Sequence, residues 1–141
     1  MNEIETYHEH AMELAEEAFF LEKEGKDKDA YSKYKEAYNH ERKSALLLKD
    51  DYEKEPSRSI LFKSAANLAF KIQDYFDAIE LIVEALTGNP PNEIKHELKE
   101  LFNSIDINLV ISNSENIAKN KEQVYINPIL KSEYIAREKI D

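Results

Sequence analysis

The chain has 141 residues, a formal net charge of −10 and no cysteine. That length suits one domain with a real core, the missing thiols exclude disulfides and thiolate metal sites, and the acidic balance opposes general binding to phosphate backbones. Only two glycines and four prolines interrupt a composition with 34% charged residues, so helix formers dominate.

Residues 3–24 are predicted to form the first helix, with Ile4, Ala11, Leu14, Ala15, Ala18, Phe19 and Leu21 at helical spacing. The same segment is acidic from residue 3, so it lacks the basic and apolar parts of a secretory signal. Gly25 ends this helix, and Asp27 opens a second over 28–48 with a stripe of Ala30, Tyr31, Tyr34, Ala37, Tyr38, Ala45 and Leu48. After the charged connector KDDYEKEP, Ser57 is the expected N-cap of a third helix over 58–72. A fourth helix over 75–87 stops at Gly88, before Pro90 and Pro91, and a fifth spans 92–104. The tail, 106–141, changes character. INLVIS and EQVYIN are β-branched, KSEYIAREKI reads as a last helix, and a hairpin, a strap or a segment that orders on binding all remain open. The division expected is therefore 1–105, helical, and 106–141, a capping or partner-binding segment. Apolar runs are short, so no membrane span is expected and the chain reads as cytoplasmic.

An offset of 48 residues aligns Ala18 with Ala66, Ala30 with Ala78 and Ala37 with Ala85. It also aligns Gly25 with Gln73, Leu14 with Phe62, Leu21 with Ala69 and Tyr34 with Ile82. Two helices joined by a short turn approach closely only where side chains are small, which gives the matched alanines a physical reason.

SILFKSAANLAFKIQDYFDAIELIVEALTGNP, residues 59–90, resembles the tetratricopeptide (TPR) repeat: Ala66, Ala78, Ala85 and Pro90 stand at that repeat's spacings. A copy over 11–44 keeps Ala18, Gly25, Ala30, Tyr34 and Ala37 but lacks the closing proline, and its second helix overruns. The resemblance implies an all-α fold of antiparallel helical hairpins, with a fifth helix opening an incomplete third repeat and an irregular tail. The run EPSRSILFKSAANLAF to GNPPNEIKHELKELF is similar to small bacterial helical proteins, which implies a bacterial origin. AMELAEEAFFLEKEGKDKDAYSKYKEAYNHERKSALLL is similar to the microtubule-interacting-and-trafficking domain, a three-helix bundle, although a lone bundle gives no reason for the internal match.

Catalytic signals are weak. Glu5–His8 and Glu93–His96 have the i, i+3 spacing of a di-iron carboxylate bundle, but their neighbours are polar, so both read as solvated surface. No Gly-rich phosphate loop is possible with Gly25 and Gly88 alone, and Ser57, Ser59 and Ser64 have no histidine nearby in sequence. The chain is read as no enzyme, with no cofactor, no metal, and no nucleic-acid or membrane partner.

The TPR resemblance implies a concave groove lined by the first helix of each hairpin. From the first unit it would show Met12, Ala15, Phe19, Glu22 and Lys23, and from the second Ile60, Lys63, Asn67, Phe70 and Lys71. An apolar and basic groove of this kind would take a peptide or helix of another protein, as an adaptor or regulatory subunit does. A carboxylate clamp at Lys63 and Asn67 lacks its companion cations. An antidote-like regulator masking a basic effector and a metal-dependent bundle enzyme are the alternatives of different class. Leu98, Leu101 and Phe102 would have no following repeat, so the tail or a second copy of the chain is expected to cover them.

Overall fold

The structure, a computed structural model, describes residues 2–112 and 115. Five helices follow one another: α1 (Glu3–Lys23), α2 (Asp27–Leu46), α3 (Ser57–Lys71), α4 (Tyr75–Thr87) and α5 (Asn92–Asn103). They belong to one unit, Met1–Ile105, and 106–141 belong to a second. Within the first unit α1 pairs with α2 and α3 with α4, while α2 also packs on α3, and α5 touches both α3 and α4. The molecule is all-α and built of helical hairpins, as its periodicity predicts.

Local chemistry sets where the chain turns. The Asn2 side chain accepts the Glu5 N–H at 2.8 Å, and Glu3 and Glu5 sit at the positive end of the α1 dipole. α1 stops at Gly25, whose φ is +78°. There the Gly25 N–H reaches the Glu22 carbonyl and the Lys26 N–H reaches the Leu21 carbonyl, the bonding of a Schellman turn. The turn after α3 repeats this pattern bond for bond at the aligned position. Gln73 has a φ of +63°, its N–H reaches the Phe70 carbonyl, and the Asp74 N–H reaches the Ala69 carbonyl. Asp74 then caps α4 by accepting the Asp77 N–H at 3.3 Å.

The aligned alanines are the contact points of the two hairpins. Ala18, Ala30 and Ala37 in the first, and Ala66, Ala78 and Ala85 in the second, are all buried, as are the aligned pairs Leu14 and Phe62, and Tyr34 and Ile82. Small side chains at the crossings let the backbones approach, and the larger ones fill the grooves beside them.

Three features differ from the sequence reading. Ser57 is the first residue of α3 rather than its cap, since Pro56 holds the cap position and no side chain caps the helix. Tyr31 points to solvent while Tyr34 and Tyr38 are buried, because helical geometry turns position 31 away from both neighbours. INLVIS is helical over 107–112. The Asp106 side chain accepts the Asn108 N–H at 2.9 Å, so a good cap overrides the β-branched preference. The expectations for EQVYIN and KSEYIAREKI lie outside the described residues.

The ends of α2 and α4 are joined through one buried cation. Arg58, in the first turn of α3, is fully buried. Its Nε donates to the Lys49 carbonyl at 3.0 Å, Nη1 to the Glu84 carbonyl at 3.1 Å, and Nη2 to the Glu84 carboxylate at 2.9 Å. The rings of Tyr52 and Phe62 lie 4.7 and 5.0 Å from the guanidinium carbon. Gly88 completes the enclosure, because a Cβ there would stand 2.5 Å from Nη1.

Two outcomes test these local accounts. A non-glycine residue in the left-handed region costs about 1 kcal/mol, so Gln73→Gly should raise the melting temperature and Gly25→Gln should lower it. Unchanged melting in both variants would show that neither turn is strained. Arg58→Met should destabilise the unit by about 3–5 kcal/mol, since it strands buried acceptors. Arg58→Lys should recover little, because the three donors of an ammonium radiate from one nitrogen and cannot span acceptors set around three nitrogens of a planar fork. Denaturant titration measures both, and full recovery with lysine would refute the fork geometry.

Candidate functional site

The first helices of the hairpins share one face with α5. At their C-terminal ends Lys71 of α3 pairs with Glu22 of α1 at 3.1 Å. Further along, Lys63 of α3 pairs with Glu97 of α5. Between α1 and α3, at their N-terminal ends, lies a cleft of about 350 Å³ lined by Ile4, His8, Leu48, Lys54, Ser57 and Ile60, among others.

The residues expected in the groove fall on this face, but they are not equivalent. Met12, Phe19 and Ile60 are 37%, 44% and 41% exposed and carry the open apolar surface. Phe70 is half-buried and meets the Tyr75 ring edge-on, with centroids 5.4 Å apart, so it also holds the α3–α4 corner together. Asn67 is exposed. Lys23 lies over the Phe19 ring at 4.8 Å from its centroid. Lys71 is engaged twice, by Glu22 and by the Tyr34 ring at 5.3 Å, and burial is the main cause that raises the Tyr34 hydroxyl pKa. With Lys63 also paired, the groove is not the basic surface that its lysines suggest from the sequence. Carboxylates on α1 and α5 answer those on α3, and sequence order hides such pairing.

The cleft end of this face is braced from beneath by a polar cluster that the sequence does not announce. Glu41 of α2 is fully buried. His8 of α1 contacts both of its carboxylate oxygens through Nδ1 at 2.9 Å. Ser44 donates to it at 2.8 Å, and Ser64 of α3 at 2.6 Å. His8 is therefore partly exposed but tied to a buried carboxylate, whereas His96 is exposed and pairs with Glu100. One carboxylate thus holds three helices together, with its acceptor sites filled. The order of the bonds also matters chemically. Ser64 donates to the carboxylate and not to the imidazole, so the three groups do not follow the hydroxyl–imidazole–carboxylate order of a nucleophilic triad.

On the opposite side, between α2 and α4, the Tyr38 hydroxyl donates to Asp77 at 2.7 Å. Burial, then the Asp77 carboxylate, pushes the Tyr38 pKa far up, so it remains a donor. Burial and Asp77 likewise raise the Asp74 pKa. This side holds a second cleft of about 410 Å³, bordered by Arg42, Leu46, Glu80 and Val83. Of the polar groups around it, Tyr38 and Asp77 tie α2 to α4 and Glu84 holds Arg58.

Comparison with protein-family models, with curated proteins and with solved structures finds no match to this chain. No helix among the described residues is long and apolar enough to cross a membrane.

A pH test follows from the α1–α2 seam. His40 stacks on His10 with centroids 4.3 Å apart. Burial, then His10 and Lys43, lowers the His40 pKa. A histidine whose folded pKa lies below its unfolded value favours folding only while neutral. Its contribution is complete above the unfolded value, about 6.5, and is lost as pH falls below that value toward the folded one. His40→Phe should therefore flatten the loss of stability between pH 7 and 5 relative to the unaltered chain. Parallel stability curves for the two proteins would show that His40 is not responsible.

Proposed function

We propose that this chain is a non-catalytic protein-interaction module of TPR-like type, a bacterial cytoplasmic adaptor or regulatory subunit that holds a peptide or helix of another protein along the face of α1, α3 and α5. One observation carries the reading: Met12, Phe19 and Ile60 stand exposed together on helices that are braced from behind. Large apolar side chains kept in water on a rigid support are the usual anchors of an interface. The support is the buried Glu41 cluster and the Lys71–Glu22 and Lys63–Glu97 pairs. They hold the face in one shape before any partner arrives, which lowers the ordering cost of binding.

Phe19→Ala and Ile60→Ala test this. Both positions are solvent-facing, so each variant should melt within about 0.5 kcal/mol of the unaltered chain. An interface anchor typically costs about 2 kcal/mol or more when truncated, roughly a 30-fold loss of affinity. The partner is to be identified by co-purification from the native host and mass spectrometry, then titrated against each variant. Binding undiminished in both would remove this face as the interface.

A further inference from the structure

We infer that the segment held by this face is a basic amphipathic helix, an inference that rests on the interaction reading above. The exposed stripe of α1 is the starting point. Glu5, Glu9, Met12, Glu16, Phe19 and Lys23 follow one another at spacings of four, three, four, three and four residues, and all six are exposed. Such spacing places them in a single line along the helix. The two apolar anchors are thus interleaved with carboxylates.

The charges divide unevenly between engaged and free. Lys63 and Lys71 are paired with Glu97 and Glu22, and Lys23 covers Phe19. Glu5, Glu9 and Glu16 form no ion pair among the described residues. An acidic ligand would meet these three carboxylates, while two of the lysines on this face are already paired. A neutral apolar ligand would leave the carboxylates beside a dehydrated surface, which is unfavourable. A helix with an apolar stripe over Met12, Phe19 and Ile60 and lysines or arginines along the α1 edge satisfies both patterns at once. The net charge of −10 acts in the same direction at longer range.

The absence of tryptophan from the chain permits a direct test. The probe is an 18-residue synthetic helix of leucine and lysine with one tryptophan on its apolar side, and its counterpart carries glutamate in place of lysine. Titrated with the full chain, the lysine peptide should show blue-shifted emission and saturable binding, at least tenfold tighter than the glutamate peptide. Glu9→Lys with Glu16→Lys should weaken it at least tenfold. A matched reversal away from this face, Glu36→Lys with Glu80→Lys, both exposed and the latter beside the cleft on the opposite side, should weaken it less than twofold, and Phe19→Ala should remove most of the blue shift. Equal loss from the two double reversals would show attraction to net charge alone and overturn the inference. Glutamate peptide bound as tightly as lysine peptide, with Phe19 still required, would overturn the basic preference and leave the groove standing. Failure of both peptides to bind in a Phe19-dependent way would overturn the inference and count against the groove as well.

Discussion

The guanidinium of Arg58 is held at three nitrogens by two chain segments far apart in sequence, the end of α2 and the end of α4. Burying such a cation is costly unless its N–H groups find acceptors in the right directions. Here two backbone carbonyls and a carboxylate supply them, and two aromatic rings flank the guanidinium. The Glu84 carbonyl lies in the last turn of α4, where unpaired acceptors and the negative end of the dipole collect, and the Lys49 carbonyl lies in the connector just after α2. One side chain therefore ties the α2–α3 connector to the end of α4 and fixes the distance between the hairpins. With that distance set, α3 is held at one depth between α2 and α4, and its outer surface becomes a fixed floor beside α1.

The same logic, with the sign reversed, operates at Glu41. A buried carboxylate on α2 gathers His8 from α1 and Ser64 from α3, and Tyr38 on α2 reaches Asp77 on α4. Each tie crosses from one helix to another and is satisfied in geometry, so each resists sliding or rotation of the helices in a way that apolar contact does not. Apolar packing against alanines decides that the hairpins close. The polar ties decide the register in which they close. A face whose anchors must stand in fixed relation across α1 and α3 needs both.

What was legible in the sequence was local or periodic. The alanine ladder, the Gly25 stop and the Asp74 turn follow from spacing and from residues that act on their own backbone. The structure bears out the alignment of Gly25 with Gln73, even though glutamine carries no turn signal of its own. Arg58, Glu41 and His8 were illegible for the opposite reason. Glu41 lies 33 residues from His8 and Arg58 lies 26 from Glu84, and each is a charged residue in a chain with many. Nothing in one sequence marks which charge is buried. The groove lysines misled in the same way: the family resemblance made Lys63 and Lys71 part of a basic groove, while the carboxylates that pair with them lie on α5 and α1. INLVIS shows a weaker principle losing to a stronger one, since β-branched content yielded to the cap at Asp106.

The 48-residue offset between the hairpins is best understood through the connector it contains. Turns of three residues join α1 to α2 and α3 to α4, whereas ten residues separate Leu46 from Ser57. Read from sequence alone, residues 49–56 are a charged connector, and the overrun of the second helix stretches the offset. In the structure they carry the Lys49 carbonyl that receives Arg58 Nε and the Tyr52 ring that covers the guanidinium. The connector between α4 and α5 is short, and its Gly88 lies against the other side of Arg58. A shorter α2–α3 connector would leave Arg58 without one acceptor and without its aromatic cover, and the cation could not remain buried. The 48-residue offset and the buried arginine are therefore one feature: the connector residues build the enclosure, and the enclosure sets the spacing of the helices that carry the proposed interaction face.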